Sequence, residues 1–326
     1  MSNVLIEEQH LKDIADAIRG KNGSNQAYYP SEMAQAIIDI PGGGTPTQYN
    51  VLCFTAEEPN STVYIQCNTS LGIHLQYSYD NQNWNDWSSS VSADGQDVFS
   101  TISLTNAGDK VYVRGNNATM GTSLSIYSRF YMSGKISASG NIQSLLYFDC
   151  SCLSVRDYCY YSIFQDCTSL TTAPELPATT LSYGCYYTMF KGCTNLSEAP
   201  ELPATTLSER CYYGMFSDCT SLTHAPELPA TTLCGRCYSY MLVRCTSLTE
   251  APALLATTLV SECYVGMFYG CTLLNSVKVG ATSWNPSYAT DWLAEVSATG
   301  TFTKPSATGI PGGPNGIPSG WEVINV

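Results

Sequence analysis

The spacing of apolar positions changes three times along the chain. Over residues 5–19, Leu5, Leu11, Ile14, Ala15 and Ile18 recur at intervals of three and four, which predicts one face of a helix. Gly20, Asn22 and Gly23 stop it. A second short helix is expected to start near Pro30 and Ser31, with Met33, Ala36, Ile37 and Ile40 inward, and to end at Pro41-Gly42-Gly43-Gly44. So short a segment with so few apolar groups cannot build much of a core. A helical hairpin over 1–44 therefore has to pack on its own copies, on a partner, or as a cap on the next domain.

From about residue 47 to 146 the period becomes two. Val51-Leu52-Cys53-Phe54, Val63-Tyr64-Ile65, Ile73 to Tyr77, Ile102-Ser103-Leu104 and Lys110 to Val113 read as strands, separated by turn-forming runs such as Glu57-Glu58-Pro59-Asn60. Several short strands at this spacing predict an antiparallel β-sandwich over 45–148. Trp84 and Trp87 lie in a polar run from Asp80 to Asp86. Exposed, they would suit stacking against a sugar ring; turned inward, they would cap the sandwich core.

The third pattern has a period of 26 residues, held by Cys159, Cys185, Cys211, Cys237 and Cys263 and again by Cys167, Cys193, Cys219, Cys245 and Cys271. Leu170, Leu196, Leu222 and Leu248 keep a third column. A constant apolar skeleton at a fixed period predicts a solenoid in which each turn buries its face on the next. Leu196, Ala199 and Leu202, three residues apart, have the spacing of a short strand, and Cys-Tyr-x-x-Met-Phe has the length for one or two helical turns on the opposite flank. The expected class is α+β and multidomain: hairpin, sandwich, leucine-rich-repeat solenoid over 149–275, and a C-terminal cap over 276–326.

The unit Cys-Tyr-x-x-Met-Phe-x-x-Cys-Thr-Ser-Leu-Thr-x-Ala-Pro-Glu-Leu-Pro-Ala-Thr-Thr-Leu resembles BspA-like leucine-rich repeats of gut bacteria and of the phages that infect them. The likeness covers roughly 150–275, and Thr282-Ser283-Trp284 and Ile317 to Trp321 resemble the ends of such proteins. Leu11 to Arg19 followed by Tyr29-Pro30-Ser31-Glu32-Met33-Ala34 resembles a leader segment of phage tail and virion proteins. These resemblances imply a surface adhesin, and the second favours a phage particle over a bacterial envelope.

Fourteen basic and 27 acidic residues give a net charge of −13, which opposes a nucleic-acid partner. No apolar run has the roughly 18 residues of a membrane-spanning helix, and Glu7 and Glu8 stand where an export signal would be apolar. Folding is therefore expected in a reducing cytosol, with the paired cysteines as columns of buried thiols, disulfides being the alternative because sequence does not fix Cys–Cys geometry; the spacing of Cys185 and Cys193 is wide for a structural zinc site. Cys234 is the candidate surface thiol. Glu175, Glu201 and Glu227 form one acidic column and Glu198 and Glu250 another, at about 4.8 Å per stacked turn. Such a column suits a solvated face, or at most a Ca2+ ion; no other cofactor is expected, and no catalytic constellation is evident.

What varies between units is where recognition should lie. Arg210, Tyr213, Arg236, Tyr240 and Arg244 are the candidate partner-binding residues, because Tyr and Arg dominate binding hot spots; drift at unconstrained positions would give the same variation. The expected function is non-enzymatic: a tail-fibre or receptor-binding protein of the virion surface, adhering to a host glycan or protein. The hairpin would attach it to other virion proteins or to its own copies, as a homo-oligomer and, by likeness to phage fibres, a trimer. A bacterial cell-surface adhesin, or a decoration protein contacting other virion components, are the alternatives.

Overall fold

Alternation of Val63, Ile65 and Cys67 with Thr62, Tyr64 and Gln66 makes a strand with one buried face, β2 (Ser61–Asn68). The same logic gives β7 (Ile102–Leu104), β8 (Lys110–Gly115), β10 (Ile126–Ser133) and β11 (Ile136–Ser139), while β1 (Leu52–Ala56), β3 (Leu75–Ser78) and β6 (Gln96–Phe99) pair with such strands without alternating strictly. The shorter β4 (Asn85–Asp86), β5 (Ser89–Val91) and β9 (Gly121–Ser123) lie toward sheet edges. The computed structural model describes residues 50–148, 150 and 153–326, and Asn50–Val326 form one compact unit.

Two sheets result. One has the order β12-β11-β1-β8-β3-β4, where β12 (Leu170–Thr172) comes from the repeats; the other has the order β5-β6-β2-β10-β9, with β7 also on β2. Phe54 of β1 meets Phe130 of β10 edge to face at 5.1 Å, which places the core between the sheets. That core runs on into the repeats: Phe130, Phe164, Phe190 and Phe216 stack at 5.3, 5.5 and 5.6 Å. A second buried column, Tyr160, Tyr186, Tyr212 and Tyr238, steps by 5.9 Å.

The expected α+β class is corrected to a mostly β fold, since no α-helix occurs among the described residues. The helical hairpin is not seen; residues 1–44 lie outside the described residues. A leucine-rich-repeat solenoid of strand and helix is not seen either, and the sequence supplies the reasons.

Buried pairs recur at a strict spacing of four, as in Cys185-Tyr186, Met189-Phe190 and Cys193, whereas a helix turns in 3.6. Every fourth residue is left-handed: Gly184, Thr188 and Gly192 in one unit, Arg210, Gly214 and Asp218 in the next. A left-handed residue ends a helix. The backbone instead makes consecutive tight turns, Tyr187 N–H to Gly184 O at 3.1 Å and Met189 to Tyr186 at 3.2 Å. The alternate amides point along the stack, Tyr186 to Cys211 O at 3.0 Å and Phe190 to Met215 O at 2.9 Å. All of these amides are thereby paired without a helix.

The strand expected at Leu196–Leu202 shrinks to single parallel bridges, Thr172 to Glu198 to His224. Pro200 and Pro203, like Pro226 and Pro229, have no N–H to give a ladder. Where these prolines stop, strands return: β13 (Ser276–Lys278), β14 (Gly300–Lys304) and β15 (Trp321–Asn325) form a parallel sheet. Trp292 stacks beneath Tyr264 at 6.0 Å and donates to Gly316 O at 2.9 Å, closing the aromatic column.

Candidate functional site

Outward rings line the tight-turn flank: Tyr161, Tyr187 and Tyr213 keep the 26-residue period, with Tyr127 of β10 at one end and Tyr240, one residue off the period, at the other. Tyr127 meets Tyr161 at 5.0 Å, Tyr161 meets Tyr187 at 5.5 Å, Tyr187 stacks on Tyr213 at 4.5 Å, and Tyr213 meets Tyr240 at 5.4 Å. The result is a continuous ribbon of half-buried rings whose edges face solvent. Burial raises the phenol pKa of Tyr187 and Tyr213 above the ordinary value, so both stay neutral donors.

The candidate arginines border this ribbon and are engaged between turns. Arg236 donates from Nε and Nη2 to the Glu262 carboxylate at 2.8 and 2.7 Å, which holds that carboxyl below the usual range. Arg244 pairs with Asp218 at 2.5 Å, and Arg210 donates to Tyr183 Oη at 2.6 Å while lying 3.5 Å from Glu209. All three sit at left-handed backbone positions, as does Tyr240 at φ +56°. Equivalent positions elsewhere hold glycine, such as Gly184, Gly266 and Gly270. A large side chain there costs about 1–2 kcal/mol, so something must offset it. For the arginines the bridges between turns do so. Tyr240 is 40% exposed and its recorded ring contact is Tyr213. Gly266 makes room for it: a Cβ there would stand 2.5 Å from the Tyr240 ring.

The two tryptophans of the polar run separate. Trp87 is buried, edge to face with Phe99 at 5.6 Å, and its indole N–H donates to Ser100 O at 2.7 Å. Trp84 is half-buried with the Arg114 guanidinium 4.0 Å over its ring. Beside them lies a cavity of about 380 Å³, with Trp87, Phe99 and Phe148 among its walls and His74, Gln76, Asp86, Ser89, Asp97 and Asn116 as its polar groups. Arg114 Nε donates to Gln76 Oε1 at 3.0 Å, and Gln76 Nε2 donates to Asp86 Oδ1 at 3.1 Å. Neighbouring strands β8, β3 and β4 place these three groups in register, Arg114 opposite Gln76 and Gln76 opposite Asp86.

The repeat columns lie inside. Cys159, Cys167, Cys185, Cys193, Cys211, Cys219, Cys237, Cys245, Cys263 and Cys271 are buried free thiols, with Leu170, Leu196, Leu222 and Leu248 fully buried among them. One thiol column bonds the backbone of the preceding turn, Cys193 to Phe164 O at 3.0 Å and Cys219 to Phe190 O at 3.1 Å. Burial pushes Cys167 and Cys271 up to about 12, far from a reactive thiolate. Cys234 is half-buried, and its Sγ donates to Leu207 O at 3.3 Å.

Glu175, Glu201 and Glu227 are exposed, and Glu175 accepts from Asn50 at 2.8 Å through both oxygens. Among the described residues no group of three or more His, Cys, Asp or Glu is placed to hold a metal ion.

Sequence reasoning missed Tyr161 as the ribbon's first repeat member, although its 26-residue spacing from Tyr187 was there to read. It also missed Gln76, Asp86, Arg114 and Phe148, which are brought together only by strand pairing. No protein family, curated protein or solved structure matches the chain.

Proposed function

We propose that this chain is a non-enzymatic adhesion protein of a phage particle surface, and that the tyrosine ribbon of its stacked turns contacts a host cell-surface glycan or protein. The observation carrying this reading is Tyr240: a large, exposed aromatic in a left-handed position where glycine is cheaper, with space cleared for it by Gly266. Local strain maintained by its surroundings clusters where side chains are used. Tyr213 and the bordering Arg210, Arg236 and Arg244 supply amphipathic contact area and donors already oriented by their bridges. The unit's resemblance to repeats of gut bacteria and their phages, and that of residues 11–34 to virion proteins, support a particle as the carrier. Attachment to other virion proteins through 1–44, and assembly as a trimer, belong to the same proposal.

Peptide mass spectrometry of purified particles and of washed host envelopes locates the chain; recovery from envelopes alone would replace the particle with a bacterial adhesin. The ribbon is tested by binding of full-length protein to host cells. Tyr240→Gly is expected to keep stability within about 1 kcal/mol while lowering cell binding at least tenfold, about 1.4 kcal/mol. Unchanged binding by Tyr240→Gly and Tyr213→Ala together would remove the ribbon from the reading.

A further inference from the structure

The sandwich cavity is separate in kind from the ribbon. The ribbon is copied from turn to turn, whereas the cavity of about 380 Å³ is made once, from segments of β3, β4, β6 and the chain around Asn116 and Phe148. Its size falls in the range of small-molecule clefts. Its floor is apolar, with buried Trp87 and Phe99, and half-buried Phe148 forms part of its wall.

Two of its polar groups, Gln76 and Asp86, are oriented before any ligand arrives. The guanidinium of Arg114 stands 4.0 Å over Trp84 and 4.8 Å over Phe148, so its position is fixed by two rings. From there its Nε bonds Gln76 Oε1 at 3.0 Å, which sets the amide so that Nε2 faces Asp86 Oδ1 at 3.1 Å. This leaves the second Gln76 N–H and Asp86 Oδ2 as an adjacent donor and acceptor. Asp97 and Asn116 add acceptors and a donor elsewhere on the wall.

We infer that this cavity is a saccharide-binding site that takes one neutral pyranose, with ring hydroxyls on Asp86, Gln76, Asp97 and Asn116 and the apolar C–H face of the sugar against Phe148. Each hydroxyl donates one proton and accepts another, so neighbouring hydroxyls match the paired carboxylate oxygen and amide N–H. An anionic ligand is disfavoured, because Asp86 and Asp97 both line the cavity. A simple alkylammonium would satisfy the carboxylates but leave the Gln76 and Asn116 donors without acceptors. The inference goes beyond adhesion through the ribbon and stands whether or not the ribbon binds cells.

The test is saturation-transfer NMR on the full chain with glucose, galactose, mannose, N-acetylglucosamine, N-acetylgalactosamine, fucose and rhamnose. Propylammonium and N-acetylneuraminate serve as charged probes. At least one neutral sugar is expected to saturate with a Kd below about 10 mM. Asp86→Ala and Asn116→Ala, both at exposed positions, are each expected to weaken it at least about tenfold, with near-UV circular dichroism unchanged. Thr223→Ala, at an exposed position of the turns that does not line the cavity, leaves sugar binding as it was, which assigns any loss to the cavity. Absence of saturation by any neutral sugar, saturation only by a charged probe, or unaltered binding in both cavity variants would overturn the inference.

Discussion

The sandwich and the stacked turns are built from similar aromatic and aliphatic side chains but use them differently. In the sandwich each contact occurs once: Phe54 has Val111 on one side and Ala138 on the other, and no other residue repeats that environment. In the turns each contact is a copy, with Tyr186 to Tyr212 and Tyr212 to Tyr238 both at 5.9 Å. Copying yields a core that repeats from level to level and sets the rings of Tyr161, Tyr187 and Tyr213 one above another, and hence a ribbon. A cavity lined by His74, Gln76, Asp86, Ser89, Asp97 and Asn116 needs positions that are not copies. The two candidate surfaces therefore fall where each kind of construction can make them.

Alkali should separate the two regions most. Ten column thiols are buried in the turns, against Cys53 and Cys67 in the sandwich. Burial raises the thiol pKa, to about 12 for Cys167 and Cys271, above the unfolded value of about 8.5. The stabilising contribution of such a group is whole below about pH 8.5 and is lost as pH rises toward the folded value. Each thiol that ionises only on unfolding lowers stability by about 1.4 kcal/mol per pH unit. Denaturant titrations between pH 8 and 10 should show a steep decline, and Cys219→Ala should reduce the slope by about that one-thiol share. A flat profile would mean that the columns are not buried thiols.

A smaller contrast comes from two glycines. Gly140, at φ +73°, would place a Cβ 2.0 Å from the Val51 carbonyl oxygen, and Gly266, at φ +58°, would place one 2.5 Å from the Tyr240 ring. A ring can swing aside, whereas the backbone of buried Val51 cannot. Gly266→Ala is expected to cost about 1–2 kcal/mol, the left-handed penalty alone, and Gly140→Ala distinctly more. Equal melting temperatures for the two variants would contradict this ordering.

The smallest effect concerns the exposed Arg236–Glu262 pair. Hydrogen bonding from Arg236 lowers the Glu262 pKa, so the pair's contribution is present above the unfolded carboxyl value of about 4.3 and fades as pH falls through the lowered one. The difference in melting temperature between the parent chain and Arg236→Ala should be small at pH 7 and vanish toward pH 3. A difference that persists at pH 3 would point to packing of the arginine stem.

These contrasts also explain what the sequence disclosed. The 26-residue interval from Cys185 to Cys211 is the interval between the stacked Tyr186 and Tyr212, so the stack's period could be counted directly. The backbone within a turn could not be read by looking for a helix. Cys-Tyr-x-x-Met-Phe is compatible with 3.6 over one turn and departs from it only when Cys193 is included, at a spacing of four. The Gly184 and Gly192 positions were the available sign of left-handed residues, but Arg210 and Arg244 conceal it by occupying equivalent positions with large side chains. The prolines that suppress the strand were visible, though they were read as part of a leucine-rich pattern. The cavity was least legible. Asp86 and Gln76 are ordinary polar residues until β3 and β4 pair, and Trp87 is turned inward by an indole bond to Ser100 that no local pattern announces.

The alternate amides that donate to a carbonyl 25 residues onward, Tyr186 to Cys211 and Tyr212 to Cys237, have a consequence for inheritance. Each turn presents to its successor the same row of N–H donors that its predecessor presents to it. A recombination event that gains or loses one unit of coding sequence meets matching bonds on both sides of the join. Lineages can thus lengthen or shorten the stack by whole turns, and shuffle the residues at the ribbon, without having to solve the fold again.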